Sequence, residues 1–273
     1  MDISGKTKIT GIFGNPIDHT LSPAMHNSAF DALHLDICYI PFRVAPADLS
    51  GAVHAIRSLN MLGVNITVPH KEKVLPLLDR IDEEAAFIGA VNTVTNKDGF
   101  LTGYNTDGRG FTSSLAEEDV SIDNKNIIMI GTGGAARSVS YYLSEKASKL
   151  SLFDIDMPKA AKLASDLNQI RNNIVLLDNI GRIDADIIIN ATPLGLKPDD
   201  PLPIKPDHIT SKMVVCDLVY KKTRFLQEAE KRNARTVNGS GMLLWQGVLA
   251  FELWTGVKPP VDVMRDALMS RIQ

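Results

Sequence analysis

Along the first hundred residues, short runs of β-branched and apolar residues alternate with longer segments whose apolar positions recur at helical spacing. Ile9 to Phe13, Ile37 to Phe42 and Val64 to Val68 read as strands, and Pro23 to Leu33 and Asp48 to Leu59 as helices. Such alternation predicts a mostly parallel sheet whose strands return through helices. Val91 to Thr95 and Phe100 to Tyr104 flank Asn96-Lys97-Asp98-Gly99, where the Asp-Gly pair favours a hairpin turn. After the polar stretch Glu117 to Asn126 the alternation restarts at Ile127 to Ile130 and runs to Val237. That polar stretch reads as a surface connection between two α/β units. Two helical patterns close the chain, Met242 to Trp254 and Pro260 to Ile272, and both fit packing on either unit.

Composition narrows the partners. The 273 residues carry a net charge of -3 with both signs dispersed, so no basic stripe points to nucleic acid. No apolar run approaches the roughly 18 residues of a membrane helix. The N-terminal MDISGKTKITGIFG lacks the apolar core of a signal peptide, so a cytoplasmic location is expected. Two distant cysteines, Cys38 and Cys216, and six histidines without paired metal spacing predict no metal site. The expected partner is therefore a small molecule, with no nucleic acid and no membrane.

The clearest chemistry lies where the second alternation begins. Asn126 to Ile130 runs into Gly131-Thr132-Gly133-Gly134-Ala135-Ala136, a strand followed by G-x-G-x-x-A and then a helix pattern. Small residues there let the backbone turn tightly and approach a pyrophosphate, whose charge suits a helix N-terminus. A second strand, Leu150 to Phe153, ends in Asp154, 21 residues after Gly133, where a ribose-binding acid belongs. A carboxylate at that place accepts from the 2′-hydroxyl of NAD and repels the 2′-phosphate of NADP. Asp154-Ile155-Asp156-Met157-Pro158-Lys159 holds two acids and one lysine, which favours NAD, although Asp156 also stands where it could cap a helix starting at Met157-Pro158.

Elsewhere the candidates admit plainer uses. Lys71 follows the strand Val64 to Val68 and Pro69, at a strand end where α/β enzymes gather reactive groups, yet exposed lysines are common there. Ser22 before Pro23 reads as a helix N-cap, and with Thr20 it offers two hydroxyls to a carboxylate. Asp107 in Asn105-Thr106-Asp107-Gly108 fits a turn or a cap. Gln246 sits in MLLWQGVLAFELW, apolar on nearly every side, so its amide is expected to be buried and partnered; Trp245 and Trp254 read as core.

Taken together, GNPIDHTLSPAMHN, NITVPHK, GAVNTV, GYNTDGRGF, GTGGAAR, NATPLG and NGSGMLLWQGVLAFELWTG resemble the shikimate dehydrogenase family, in the same order and over essentially the whole chain. The resemblance implies an α/β protein of two domains: a mostly parallel substrate-binding and catalytic domain, 1–107 plus 240–273, and a doubly wound Rossmann dinucleotide-binding domain, 108–239. It implies reduction of 3-dehydroshikimate to shikimate in aromatic amino acid (chorismate) biosynthesis, by a monomer or homodimer. Carried over by position, Thr20 and Ser22 would hold the substrate carboxylate, and Thr67, Asn92, Asp107 and Gln246 its hydroxyls. Lys71 and Asp107 would be the catalytic pair, and Tyr220 would lie near the substrate. Gly131, Thr132, Gly133, Gly134, Ala135, Asp154, Asn190, Thr192, Gly241 and Met242 would line the cofactor.

Two positions depart from the family pattern. NADP-dependent members carry Asn-Arg-Thr and a further basic residue where this chain has Asp154-Ile155-Asp156, which resembles the NAD-using quinate/shikimate dehydrogenase branch. NADP is the family default; the residues favour NAD. Thr20 stands where many members have serine, which bears on shikimate against quinate. A third possibility is a non-catalytic sensor of a shikimate-like acid, which would have no need of Lys71 and Asp107. An ordinary lysine is already protonated at neutral pH, so Lys71 is ready to donate in reduction, and oxidation is expected to be favoured at alkaline pH.

Overall fold

In the computed structural model, which describes residues 3–181 and 184–272, the chain divides into two compact units. The first comprises 1–106 with 246–273 and the second 107–245. The ends of the expected substrate domain, residues 1, 2 and 273, fall outside the described residues.

In the first unit the order is β1 (Lys8–Gly14), α1 (Ser22–Ala32), β2 (Ile37–Arg43), α2 (Leu49–Ser58), β3 (Gly63–Ile66), β4 (Arg80–Ile81), α3 (Glu83–Ile88), β5 (Thr93–Lys97) and β6 (Phe100–Tyr104). The sheet runs β2-β1-β3-β5-β6-β4. β1 is parallel to β2 and β3, as the alternation predicts, whereas β5 runs antiparallel to both β3 and β6. The Asp98-Gly99 turn causes the second reversal: both residues take positive φ, 53° and 88°, the two-residue geometry that matches the twist of paired strands. β3 is buried along its whole length, so it lacks the two-residue alternation of a half-exposed strand.

The predicted strand Val64 to Val68 stops early, at Ile66. Beyond it Thr67 N–H still donates to Phe13 O at 2.9 Å, but Val68 is exposed and Pro69 has no N–H to extend a ladder. At the other end of β3, Gly63 (φ +153°) is required because a Cβ would lie 2.1 Å from Val94 O and 2.6 Å from Trp254 Nε1.

Two clusters hold this unit. α2 packs Leu49, Val53 and Ile56 on Phe13, Val64, Ile66 and Val94 of the sheet. The other cluster is aromatic: His26 and Phe30 of α1, Tyr39 of β2, and Phe251 and Trp254 of α8 (Ser240–Thr255). α9 (Val261–Met269) packs on α1.

The second unit contains α4 (Asp107–Glu117), β7 (Asn126–Ile130), α5 (Gly134–Lys146), β8 (Lys149–Phe153), α6 (Met157–Asn168), β9 (Ile174–Leu176), β10 (Ile187–Asn190), β11 (Val214–Asp217), α7 (Arg224–Glu230) and β12 (Arg235–Val237). Its sheet is parallel throughout, in the order β12-β11-β10-β7-β8-β9. This is the doubly wound order, with the direction of winding switching between β7 and β10, and ligands of such sheets bind outside that switch. The polar stretch 117–126 is not the connection between units; it joins α4 to β7 inside the second unit. Among the described residues no helix is long and apolar enough to cross a membrane.

Candidate active site

Two of the substrate candidates, Asn92 and Gln246, are linked by hydrogen bonds in the first unit. Asn92, buried just before β5, donates through Nδ2 to Thr106 Oγ1 at 2.9 Å, and its Oδ1 accepts from Thr106 N–H at 2.8 Å and from Thr93 Oγ1 at 3.0 Å. Thr106 Oγ1 lies 3.1 Å from the backbone oxygen of Gln246, which fixes α8 beside the β6 end. Asn65 Nδ2 donates to Thr93 Oγ1 at 3.0 Å and to Asn92 O at 3.2 Å, while its Oδ1 accepts from the Tyr39 phenol at 2.7 Å. Tyr39, Asn65, Thr93, Asn92 and Thr106 thus belong to one connected network, which reaches α8 through the backbone oxygen of Gln246.

Lys71 sits half-buried in the turn after β3, and its backbone oxygen accepts from Val91 N–H at 2.8 Å, which pins the turn beside Asn92. The preceding His70 is fully buried, with Nε2 2.8 Å from Val44 O, so this turn is anchored on both sides of the sheet end. Thr67, half-buried, approaches Gly14 closely: a Cβ on Gly14 would lie 2.4 Å from the Thr67 methyl. Thr20, also half-buried, accepts from Ser22 N–H through Oγ1 at 3.4 Å, leaving its own hydroxyl hydrogen available.

Several expectations change. Ser22 is not an N-cap: it is the buried first residue of α1, and Leu21 precedes it without a side-chain cap. Gln246 is half-buried rather than buried, because α8 is apolar all round without being enclosed all round. Trp245 is not core: it is half-buried, with Nε1 donating to Glu117 at 3.0 Å, while Trp254 is buried and donates to Val94 O at 3.0 Å. Asn65, Tyr39, Thr93 and Thr106 were missed. An asparagine inside an apolar strand, which must find buried partners, is the signal that could have found Asn65.

In the second unit the candidates line the carboxyl ends of the strands. β7 leads into Gly131, where positive φ (+95°) and close approach make glycine necessary: a Cβ would meet the Ala191 backbone at 2.9 Å. Gly133 and Gly134 differ, since a Cβ there would enter open space. Side chains are excluded from that space only by the choice of glycine, at the N-terminus of α5, which is the arrangement a dinucleotide pyrophosphate needs. Asp154, half-buried after β8, accepts through Oδ2 from Thr132 N–H at 2.7 Å and Oγ1 at 2.8 Å, and through Oδ1 from Asp156 N–H at 3.0 Å. Burial pushes this carboxyl up, but those three hydrogen bonds and the charge of Lys159 together hold it below the usual carboxylate range. Asp156 caps α6, accepting from Lys159 N–H at 3.2 Å. The two acids have separate structural roles, and the open glycine turn with an ionised acid beside it fits a nicotinamide dinucleotide.

Asn190 ends β10 and is fully buried. Its Oδ1 accepts from Thr192 N–H at 3.1 Å and Thr192 Oγ1 at 2.6 Å, and its Nδ2 donates to Leu194 O at 3.0 Å and Asp217 Oδ1 at 3.1 Å. Asp217, overlooked in the sequence, also accepts from Thr223 Oγ1 at 2.7 Å and Val219 N–H at 3.0 Å. Burial raises its carboxyl pKa above the ordinary range despite these bonds. It ties the 190–195 loop to the loop carrying half-buried Tyr220. Gly239 N–H donates to Val219 O at 3.0 Å, bringing the turn before Gly241 and Met242 to the same strand ends. Ala135 is half-buried in the first turn of α5. Asp107 opens α4 and is buried, and next to it Gly108 lets α4 approach α5, where a Cβ would lie 2.3 Å from Ser138 O. Lys71 lies in the first unit and Asp107 in the second.

A family profile described as the shikimate dehydrogenase substrate binding domain matches residues 12–94, and one described as the shikimate 5′-dehydrogenase C-terminal domain matches 239–269. A protein of Desulforamulus reducens named shikimate dehydrogenase (NADP(+)) is 45% identical, over 99% of this chain and 97% of its own. A crystal structure of a shikimate dehydrogenase in complex with NADP+ superposes with a TM-score of 0.94 at 39% identity, covering 100% of this chain and 98% of that one. Another, shikimate 5-dehydrogenase from Listeria monocytogenes in complex with shikimate and NAD, gives 0.91 at 36% identity, covering 97% and 98%. With full-length likeness in sequence and fold, and the motifs placed at the strand ends of two α/β units, this chain belongs to the shikimate dehydrogenase family.

Proposed function

We infer that this protein catalyses the reversible reduction of 3-dehydroshikimate to shikimate with a nicotinamide dinucleotide. The observation that carries the assignment is the likeness, over 99% of this chain, to a protein named shikimate dehydrogenase, and the Asn92 network beside the turn that bears Lys71 supports it.

When bound, the nicotinamide supplies or accepts the hydride at C3. Lys71 gives a proton to the C3 oxygen in reduction and removes it in oxidation, and the family resemblance names Asp107 as the second catalytic residue. The Thr20 and Ser22 hydroxyls meet the carboxylate at the start of α1, and Thr67, Asn92 and Gln246 orient the ring hydroxyls. The family resemblance assigns Tyr220 to the substrate and Met242 to the nicotinamide. Gly131 to Ala135, Asn190, Thr192 and Gly241 shape the cofactor side, and Asp154 accepts from the adenosine ribose.

The cofactor is NAD in this reading. Asp154 is ionised and the following residues are Ile155, 94% exposed, and Asp156, with no arginine to receive a 2′-phosphate. The Listeria relative, crystallised with shikimate and NAD, supports that choice, while the relatives named for NADP(+) favour the other. The deciding measurement is the initial rate of shikimate oxidation by purified protein, with NAD and NADP in parallel and quinate as second substrate. Faster turnover with NAD supports both assignments, and faster turnover with NADP removes the cofactor assignment alone. Quinate turnover without shikimate turnover transfers the site to quinate, and inactivity with both overturns the enzymatic reading.

A further inference from the structure

Asn190 and Thr192 fall to the cofactor by family resemblance, yet their side chains are engaged with each other and with the chain around them. Thr192 N–H can only donate, so Asn190 turns Oδ1 toward it at 3.1 Å, and that oxygen also accepts from Thr192 Oγ1 at 2.6 Å. Asn190 Nδ2 gives one hydrogen to Leu194 O at 3.0 Å and the other to Asp217 Oδ1 at 3.1 Å. The amide is fully committed. The Thr192 hydroxyl gives its one hydrogen to Asn190 and accepts from Leu194 N–H at 3.2 Å. Asn190, 0% exposed, therefore shapes the 190–195 loop from within instead of reaching out to a nucleotide.

Asp217 is where that loop meets two other segments. Its Oδ1 accepts from Val219 N–H at 3.0 Å as well as from Asn190, and its Oδ2 accepts from Thr223 Oγ1 at 2.7 Å. Val219 O accepts from Gly239 N–H at 3.0 Å, and a Cβ on Gly239 would lie 2.1 Å from Leu218 O, so only glycine lets that turn come in. Thr223 also touches the first loop: at Gly195, where φ is +104°, a Cβ would meet the Thr223 methyl at 2.9 Å. One fully buried carboxylate thus sets the 190–195 loop, the 217–223 loop and, through Val219, the turn before Gly241. These segments follow β10, β11 and β12, on the side of the winding switch away from β8 and Asp154, where the second half of a dinucleotide binds.

We propose that Asp217 is a positioning residue of the nucleotide site, holding these three segments in the one arrangement that receives the nicotinamide half of a dinucleotide. The proposal rests on the dinucleotide part of the reading above and is independent of which sugar acid is oxidised. Every group in it belongs to the second unit.

The test is the Kd of NADH and of NADPH, read from nucleotide fluorescence without substrate, for Asp217→Ala and Asp217→Asn. Asp217→Ala leaves the donors of Asn190, Val219 and Thr223 without their acceptor and is expected to raise the Kd of the preferred nucleotide roughly 10- to 100-fold. Asp217→Asn keeps an oxygen for Asn190 and Val219 and offers an amide to Thr223, so it is expected to bring the Kd back to within about fivefold of the unmodified protein. A role confined to fold stability would lower the melting temperature of Asp217→Ala and leave its Kd, measured well below melting, unchanged. That result overturns the proposal, and so does Asp217→Asn binding as weakly as Asp217→Ala. If Asp217→Ala does not fold, Thr223→Val removes one donor and keeps a methyl against Gly195; a Kd raised by about threefold or more is expected, and an unchanged Kd overturns the proposal. The expected Kd pattern in a protein that does not turn over shikimate upholds the proposal and brings down the shikimate reading alone, whereas an unmodified protein that binds neither nucleotide brings down both.

Discussion

Asp154 and Thr132 are joined twice: one carboxylate oxygen of Asp154 accepts both the backbone N–H of Thr132, at 2.7 Å, and its hydroxyl, at 2.8 Å. The bond pair ties the end of β8 to the glycine-rich turn after β7, so the acid proposed to choose the nucleotide also shapes that turn. Asp154→Asn keeps the volume but places an amide N–H against donors. Loss of charge-assisted bonds of about 1–3 kcal/mol predicts a fall of roughly 10- to 100-fold in kcat/KM for NAD, with a smaller fall or a gain for NADP. Parallel kinetics with the two nucleotides check this, and an equal fall with both would leave Asp154 as a brace for the turn only.

Lys71→Ala should separate chemistry from binding. A positioned general acid contributes about 10²–10⁴-fold, so kcat should fall by that order while the shikimate KM changes little. A raised KM with kcat intact would make Lys71 a binding residue.

His26 predicts acid sensitivity. The imidazole is fully buried among Phe30, Tyr39, Phe251 and Trp254, neither ring nitrogen has a partner, and burial lowers its pKa from 6.5 to about 3. The unfolded chain therefore binds this proton first as pH falls. Stability is undiminished above about pH 6.5 and declines between there and pH 3, by an amount on the order of 4–5 kcal/mol at the lower end. His26→Phe keeps the stacking and should flatten that part of the melting temperature against pH profile. A parallel profile in the variant would mean that other groups govern acid unfolding.

Asp217 predicts the opposite slope. Its carboxyl pKa is raised in the folded protein, so its contribution favours folding most at low pH and is lost as pH rises through the raised value. Asp217→Asn retains an oxygen for Asn190 Nδ2 and Val219 N–H and an amide for Thr223 Oγ1. The variant should melt at or above the unmodified protein at pH 7, and that advantage should shrink toward pH 4. A variant that melts several degrees lower at pH 7 would show that the ionised clamp is stabilising as it stands.

Much of the fold lies in local pattern. The alternation of strand and helix, the Asp98-Gly99 turn, the glycine run after β7, the place of Asp154 and the cap at Asp156 each depend on residues within one or two turns of chain, because periodicity and positive φ are short-range properties. Family motifs added roles for residues whose chemistry alone was ambiguous, among them Lys71 and Asp107.

Only the tertiary structure decided the rest. That β5 runs antiparallel between β3 and β6, that Ser22 lies buried in the first turn of α1 instead of capping it, and that Gln246 is half-exposed on a largely apolar helix all depend on what packs against each element. The same holds for the bond between Tyr39 and Asn65 and for the Asp217 clamp. Residues 39, 65, 93, 92 and 106 become one hydrogen-bonded chain because the strand order β2-β1-β3-β5 brings distant segments to one end of a sheet. A buried polar group must be satisfied wherever it lands, and the partner that satisfies it is chosen by the sheet order and not by its neighbours in sequence.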